Sequence, residues 1–216
     1  MRPILLALVA ASFALPSQGQ AIATLRIDYS NPGLTPSNWT LVIHRDGSGH
    51  FHADRGDAPA QPVETMQPVA VDRDIHVNQG FADNVFRTVH SHQLMNEKCA
   101  SHLKVAFQGW KKITYSGPDG QGSCAFNYAK DKDIQALGDS LVAVASTIIE
   151  GARLELLYQH DPLGLSQEID YVMDASSDGR LQQICAIRGI LEKLEEDPGV
   201  MERVRKRARV LAQSQK

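Results

Sequence analysis

The sequence lacks the features that usually declare a chemistry. It holds 3 cysteines in 216 residues and contains neither an HExxH nor a CxxC pattern. That excludes the common zinc-protease and thioredoxin-like signatures. The Gly-rich stretch Gly117 to Gly122 has no P-loop lysine and does not open straight into a helix, so it is no phosphate cradle. Charge of one sign is also missing. The chain carries 22 basic and 25 acidic residues, a net charge of −3, which gives no global attraction to nucleic acid or anionic lipid. The longest apolar run, Ile4 to Leu15, is broken only by Ser12 and covers 12 positions. A membrane-spanning helix needs about 20, so no transmembrane segment is expected.

What is present begins with that run. Arg2, the apolar stretch and the small, polar residues up to Ala21 have the layout of a cleavable signal peptide. Cleavage is expected after Ala21, with Gly19 as the second choice. Loss of Arg2 then takes the net charge from −3 to −4. The first cysteine is Cys99, so no lipid-anchoring cysteine follows either site. The mature protein is therefore expected outside the cytoplasm, in the periplasm or secreted. In an oxidising compartment a cysteine pair is expected to be bridged. Cys185 lies inside an apolar helical pattern, as a buried thiol would, which leaves Cys99 and Cys124 as the pair.

Residues 23 to 54 alternate apolar and polar positions between turn signals, which predicts strands. Trp39, Leu41 and Ile43 share one face, as do Phe51 and Ala53. Both sets fall on one side of a hairpin if opposed residue numbers sum to an even value. A loop centred on Gly47 would set Ile43 opposite Phe51 and His44 opposite His50. The proline-containing stretch from Arg55 to Ala70 reads as a loop, and its Arg55-Gly56-Asp57 as a solvated turn. A short strand at Ile75 and Val77 and a helix from Val85 to Leu94 follow. Further strands are expected at Lys104–Phe107, Lys112–Tyr115 and Cys124–Tyr128.

Past Lys130 the apolar period becomes helical, with Ile134, Leu137, Leu141, Val144 and Ile148 on one stripe. Four helices are expected, at about 132 to 159, 162 to 175, 180 to 195 and 199 to 213. Asp161-Pro162 and Asp197-Pro198 read as N-cap and first-turn proline. The stretch Tyr115 to Tyr128, together with the helical tail from Leu154 to Leu211, resembles a group of exported bacterial proteins of unassigned function. The resemblance covers most of the mature chain and supplies no catalytic residues. Separately, Asp197 to Leu211 is similar to the second helix of a HEAT-type repeat, in a single copy.

Two groups of side chains are candidates for function. His44, His50 and His52 would share the outer face of the hairpin, where neutral imidazoles can occupy three positions of a tetrahedral zinc with water in the fourth. The plainer reading is an exposed polar face. His90 and His92 are two apart on a helix and point about 200° apart, so together they chelate nothing. In the last helix Arg203, Arg205, Lys206, Arg207 and Arg209 surround an apolar stripe, as a solvated face or as a docking site for an acidic partner or anionic lipid.

These readings converge on an α+β protein: a small antiparallel sheet with one packed helix, followed by a C-terminal four-helix module. Its parts are expected at 1–21 (signal peptide), 22–130 (disulfide-stapled β domain) and 131–216 (helices). The favoured function is a non-catalytic exported protein that binds a protein or envelope component and carries no cofactor. The alternative is a zinc-dependent hydrolase built on the three histidines.

Overall fold

A computed structural model describes residues 22–54 and 70–214. The expected signal peptide and the loop with Arg55-Gly56-Asp57 lie outside these residues. Six strands form one antiparallel sheet: β1 (Thr24–Ser30), β2 (Asn38–His44), β3 (Ser48–Asp54), β4 (Ala70–His76), β5 (Trp110–Gly117) and β6 (Gly120–Phe126). Their order is β4-β3-β2-β1-β5-β6. Period-2 alternation puts Leu25, Ile27, Leu41, Ile43, Phe51 and Ile113 on one face, all at most 1% exposed. The other face is polar.

The hairpin of β2 and β3 keeps the expected faces but not the expected register. Leu41, rather than Ile43, stands opposite Phe51, and Ile43 faces Gly49. Two local causes move the turn. Asp46 Oδ1 accepts the Ser48 N–H at 2.9 Å, closing the loop one residue earlier than Gly47. Gly47 adopts φ +82°, and a Cβ there would lie 2.5 Å from the Val77 carbonyl oxygen. In consequence His50 faces Val42 and His52 faces Thr40, while His44 pairs with Thr24 of β1.

The apolar face is covered by α1 (Gln79–Ser91), capped by the Asn78 side chain on the Phe81 N–H, and by α2 (Lys132–His160), capped by Asp131. The 29 residues of α2 make a rod about 44 Å long, longer than the sheet requires. Its buried residues through Ala152 join the sheet core, and from Leu154 onward they join a second apolar cluster. That cluster gathers α3 (Leu165–Ser177), α4 (Arg188–Glu196) and α5 (Glu202–Gln213). Arg73 of β4 ties the sheet to α2 through two hydrogen bonds to Glu155, at 2.7 and 3.0 Å. Cys99 and Cys124 form the disulfide, 25 residues apart. No helix among the described residues is long and apolar enough to cross a membrane.

Three expectations are corrected. Lys104–Phe107 forms no strand; Val105 and Phe107 are exposed, and the Asn127 side chain holds this segment by bonding the Gln108 N–H (2.7 Å) and the Ala106 carbonyl (3.2 Å). Asp161 and Asp197 are C-caps of α2 and α4, not N-caps of the next helices. Their carboxylates close turns on the N–H groups of Gly164 and Gly199, so α3 and α5 start later. Cys185 sits half-buried in the 3-10 turn Ile184–Ile187, its Sγ 3.7 Å from the His76 carbonyl oxygen.

Candidate functional site on the outer sheet face

Strand pairing arranges the polar face into rows. One row runs Asp72, His52, Thr40, Asp28, Lys112 across β4, β3, β2, β1 and β5. The neighbouring row runs Asp54, Asn38, Ser30, Trp110. Between β3 and β5 these two rows line a hollow of about 400 Å³. Three strand spacings make it roughly 14 Å across. Trp110 forms one rim, 48% exposed, an uncommon placement for the largest apolar ring. Lys112 stands beside Trp110 on β5, His52 and Asp54 form the opposite rim, and Asp28 and Thr40 lie between.

Hydrogen bonds hold this floor in shape. Asp28 accepts from the Arg26 guanidinium at 2.6 Å and from the Thr40 hydroxyl at 2.9 Å. Burial pushes the Asp28 carboxyl upward, but these donors and the positive charges of Arg26 and Lys112 outweigh it and hold the group below its usual range. At the edge, Asp72 lies between two imidazoles, 2.7 Å from His52 Nδ1 and 3.2 Å from His50 Nε2. The bond to Asp72 raises the His52 pKa above its ordinary value, with Asp54 adding to the effect, and it lowers Asp72 in turn. His50 Nδ1 also lies 2.9 Å from Asp74.

Of the three expected histidines, then, His50 and His52 meet around a carboxylate. His44 stands opposite Thr24, with Nδ1 3.2 Å from the threonine hydroxyl. Among the described residues, the set whose ligand atoms all fall within 4.8 Å of one another is a different one: His92 with Asp131 and Asp133. The basic helix is largely matched from within the molecule. Arg203 and Arg207 pair with Asp170, Arg209 with Glu195 at 2.7 Å, and Lys206 with Glu202 at 2.7 Å.

Trp110, Lys112 and Asp28 were not evident as site residues from sequence. The available signal was parity: Trp110 and Lys112 alternate with Ile113 and Tyr115, so they face outward if those face the core. Lys111 is the converse case, a lysine on the core face. Its side chain is 2% exposed, with Nζ 3.3 Å from the Asn127 carbonyl, and burial pushes its pKa down against the charge of Asp139.

No protein-family model matches this chain, and no curated protein matches it either.

Proposed function

We propose that this chain is an exported, non-catalytic protein that binds a saccharide-class ligand, as found in cell-envelope components, in the hollow on the outer sheet face. The observation that carries the reading is Trp110, an exposed ring beside the two polar rows. The face of an aromatic ring is electron-rich and attracts the C–H groups on the flat side of a sugar. Neighbouring carboxylate, amide, hydroxyl and amine groups of Asp28, Asp54, Asn38, Thr40 and Lys112 offer both donors and acceptors for sugar hydroxyls. Binding rather than catalysis is favoured by the openness of this face. His52, Asp54 and Lys112 are all exposed, whereas charge-based catalysis depends on excluding water. Export is supported by the disulfide and by the apolar run at Ile4 to Leu15.

Two experiments test the two halves of this reading. Protein purified from its native source should begin at Ile22 or Gln20; a mature species retaining Met1 would exclude processing. The untagged protein should bind members of a panel of soluble envelope oligosaccharides, and Trp110→Ala should weaken that binding about tenfold or more. Equal binding by Trp110→Ala, or no binding across the panel, would contradict the assignment.

A further inference from the structure

A second site stands at the opposite, helix-covered side of the sheet, independent of the saccharide reading. There the end of α1 meets the start of α2. The segment after α1 is fixed against the segment before α2 by the disulfide, by the Ala100–Ala129 bridge and by the Lys130 N–H bond to the Cys99 carbonyl at 2.8 Å. This scaffold places His92 among three carboxylates. Its Nδ1 lies 3.1 Å from Glu97 Oε1. Its Nε2 lies 3.5 Å from Asp131 Oδ1 and 3.9 Å from Asp133 Oδ2.

We propose that His92, Asp131 and Asp133 form a binding site for a divalent transition-metal cation of the zinc class, with Glu97 as the positioning residue. A carboxylate on Nδ1 fixes the proton there and leaves the Nε2 lone pair for a metal, the pairing found behind most ligating histidines. That lone pair then confronts Asp131 Oδ1, which already accepts two backbone N–H groups, and Asp133 Oδ2, and a cation complements the lone pairs that converge there. The spacing fits. With bonds of about 2.0–2.2 Å, two ligand atoms of a tetrahedral zinc lie about 3.4 Å apart, close to both distances given above.

Charge favours the same occupant. Glu97, Asp131 and Asp133 face His92, and Lys130 turns its Nζ to Glu97 Oε2 at 3.8 Å. The N-terminus of α2 opposes a cation with about half a positive charge, which the carboxylates exceed. Asp131 also accepts the N–H groups of Asp133 and Ile134, so it is held rigidly in place. His92 is 16% exposed and Asp133 is 80% exposed, which leaves one side open for entry and for water as the fourth ligand. One imidazole with two carboxylates suits zinc or manganese better than magnesium.

The competing arrangement is a protonated His92 paired with the carboxylates, and titration of the untagged mature chain with zinc chloride separates the two. Calorimetry should give one zinc per chain, and excess zinc should raise the Tm by several degrees. Asp133→Asn removes one ligand at an exposed position and should abolish both effects, with only a small lowering of the zinc-free Tm from loss of a first-turn charge. Glu97→Gln should weaken binding about 10–100-fold. His50→Ala, on the hairpin, should leave binding intact. Absence of a zinc-dependent Tm change, retention of binding by Asp133→Asn, or its loss in His50→Ala would each overturn the assignment.

Discussion

Replacing Cys124 with Ser is expected to lower the stability of the protein by about 2–5 kcal/mol. The bridge closes a loop of 25 residues and so restricts the unfolded chain. Its place in the fold adds to the effect. Residues 101 to 109 join no sheet, and the disulfide anchors this irregular stretch where it leaves the core. Cys124 pairs with Ile113, and both lie in the main apolar cluster, so a hydroxyl there would also lack a ready partner. Urea unfolding followed by circular dichroism measures the loss. The control is Cys185→Ser at the half-buried free thiol, where the change should stay under about 1 kcal/mol. Equal midpoints for wild type and Cys124→Ser would show that the bridge adds nothing.

The second large effect concerns a carboxylate pair buried between α2 and α3. Glu150 faces Glu168, which is 4% exposed, and Arg153 pairs with both. Glu150 Oε2 lies 3.8 Å from Arg153, too far for a hydrogen bond, and Glu168 Oε1 has no hydrogen-bond donor, so a proton shared between the carboxylates would satisfy them. Burial, and then the neighbouring Glu168, push the Glu150 pKa up to about 8 against the opposing charge of Arg153. The sign of the stability change follows from that shift. Below pH 4.5 the residue is protonated in both folded and unfolded chains. Between about 4.5 and 8 the unfolded chain releases the proton while the folded chain keeps it, so stability falls across this window and levels above it. Glu150→Gln stays neutral throughout and should remove that decline. It should match the wild type near pH 4.5 and exceed it by pH 9, by an amount on the order of a few kcal/mol. Thermal midpoints of both proteins across that range provide the measurement. Parallel curves would place the two carboxylates in water.

Much of the fold was legible from local pattern. Alternation gave the faces of β2 and β3, because parity survives a shift of two residues. The shift itself was not legible, since it depends on the Asp46 bond to Ser48 and on the approach of Gly47 to Val77. The stripe from Ile134 to Ile148 marked α2 from its period alone. The Asp-Pro pairs misled for a tertiary reason: Asp197 closes its turn while accepting the Tyr158 hydroxyl of α2 at 2.5 Å, a contact across 39 residues. Lys104–Phe107 has strand-like composition but no sheet partner, and composition alone does not supply one.

The candidate sites needed long-range order. The hollow exists because β5 joins β1 across about 80 residues of chain, which brings Trp110 beside Ser30. The cluster at His92 likewise depends on α1 ending where α2 begins. His90 lies within α1, but His92 is its C-cap with non-helical backbone angles, so the helical spacing expected of the pair does not hold. His90 turns to Asp119 at 3.2 Å, and His92 turns to carboxylates that no local pattern could place.

The chain contains 2 tryptophans, which allows the binding claim to be read at a single ring. Trp39 is 6% exposed in the core and Trp110 is 48% exposed at the hollow. In a ¹⁵N-labelled sample the two indole N–H signals titrate separately as an envelope oligosaccharide is added. The signal of Trp110 should shift with the backbone signals of Asp28, Thr40 and Lys112, while that of Trp39 stays in place. Unmoved signals at Trp110, or shifts confined to the helical module, would contradict a saccharide site on the outer sheet face.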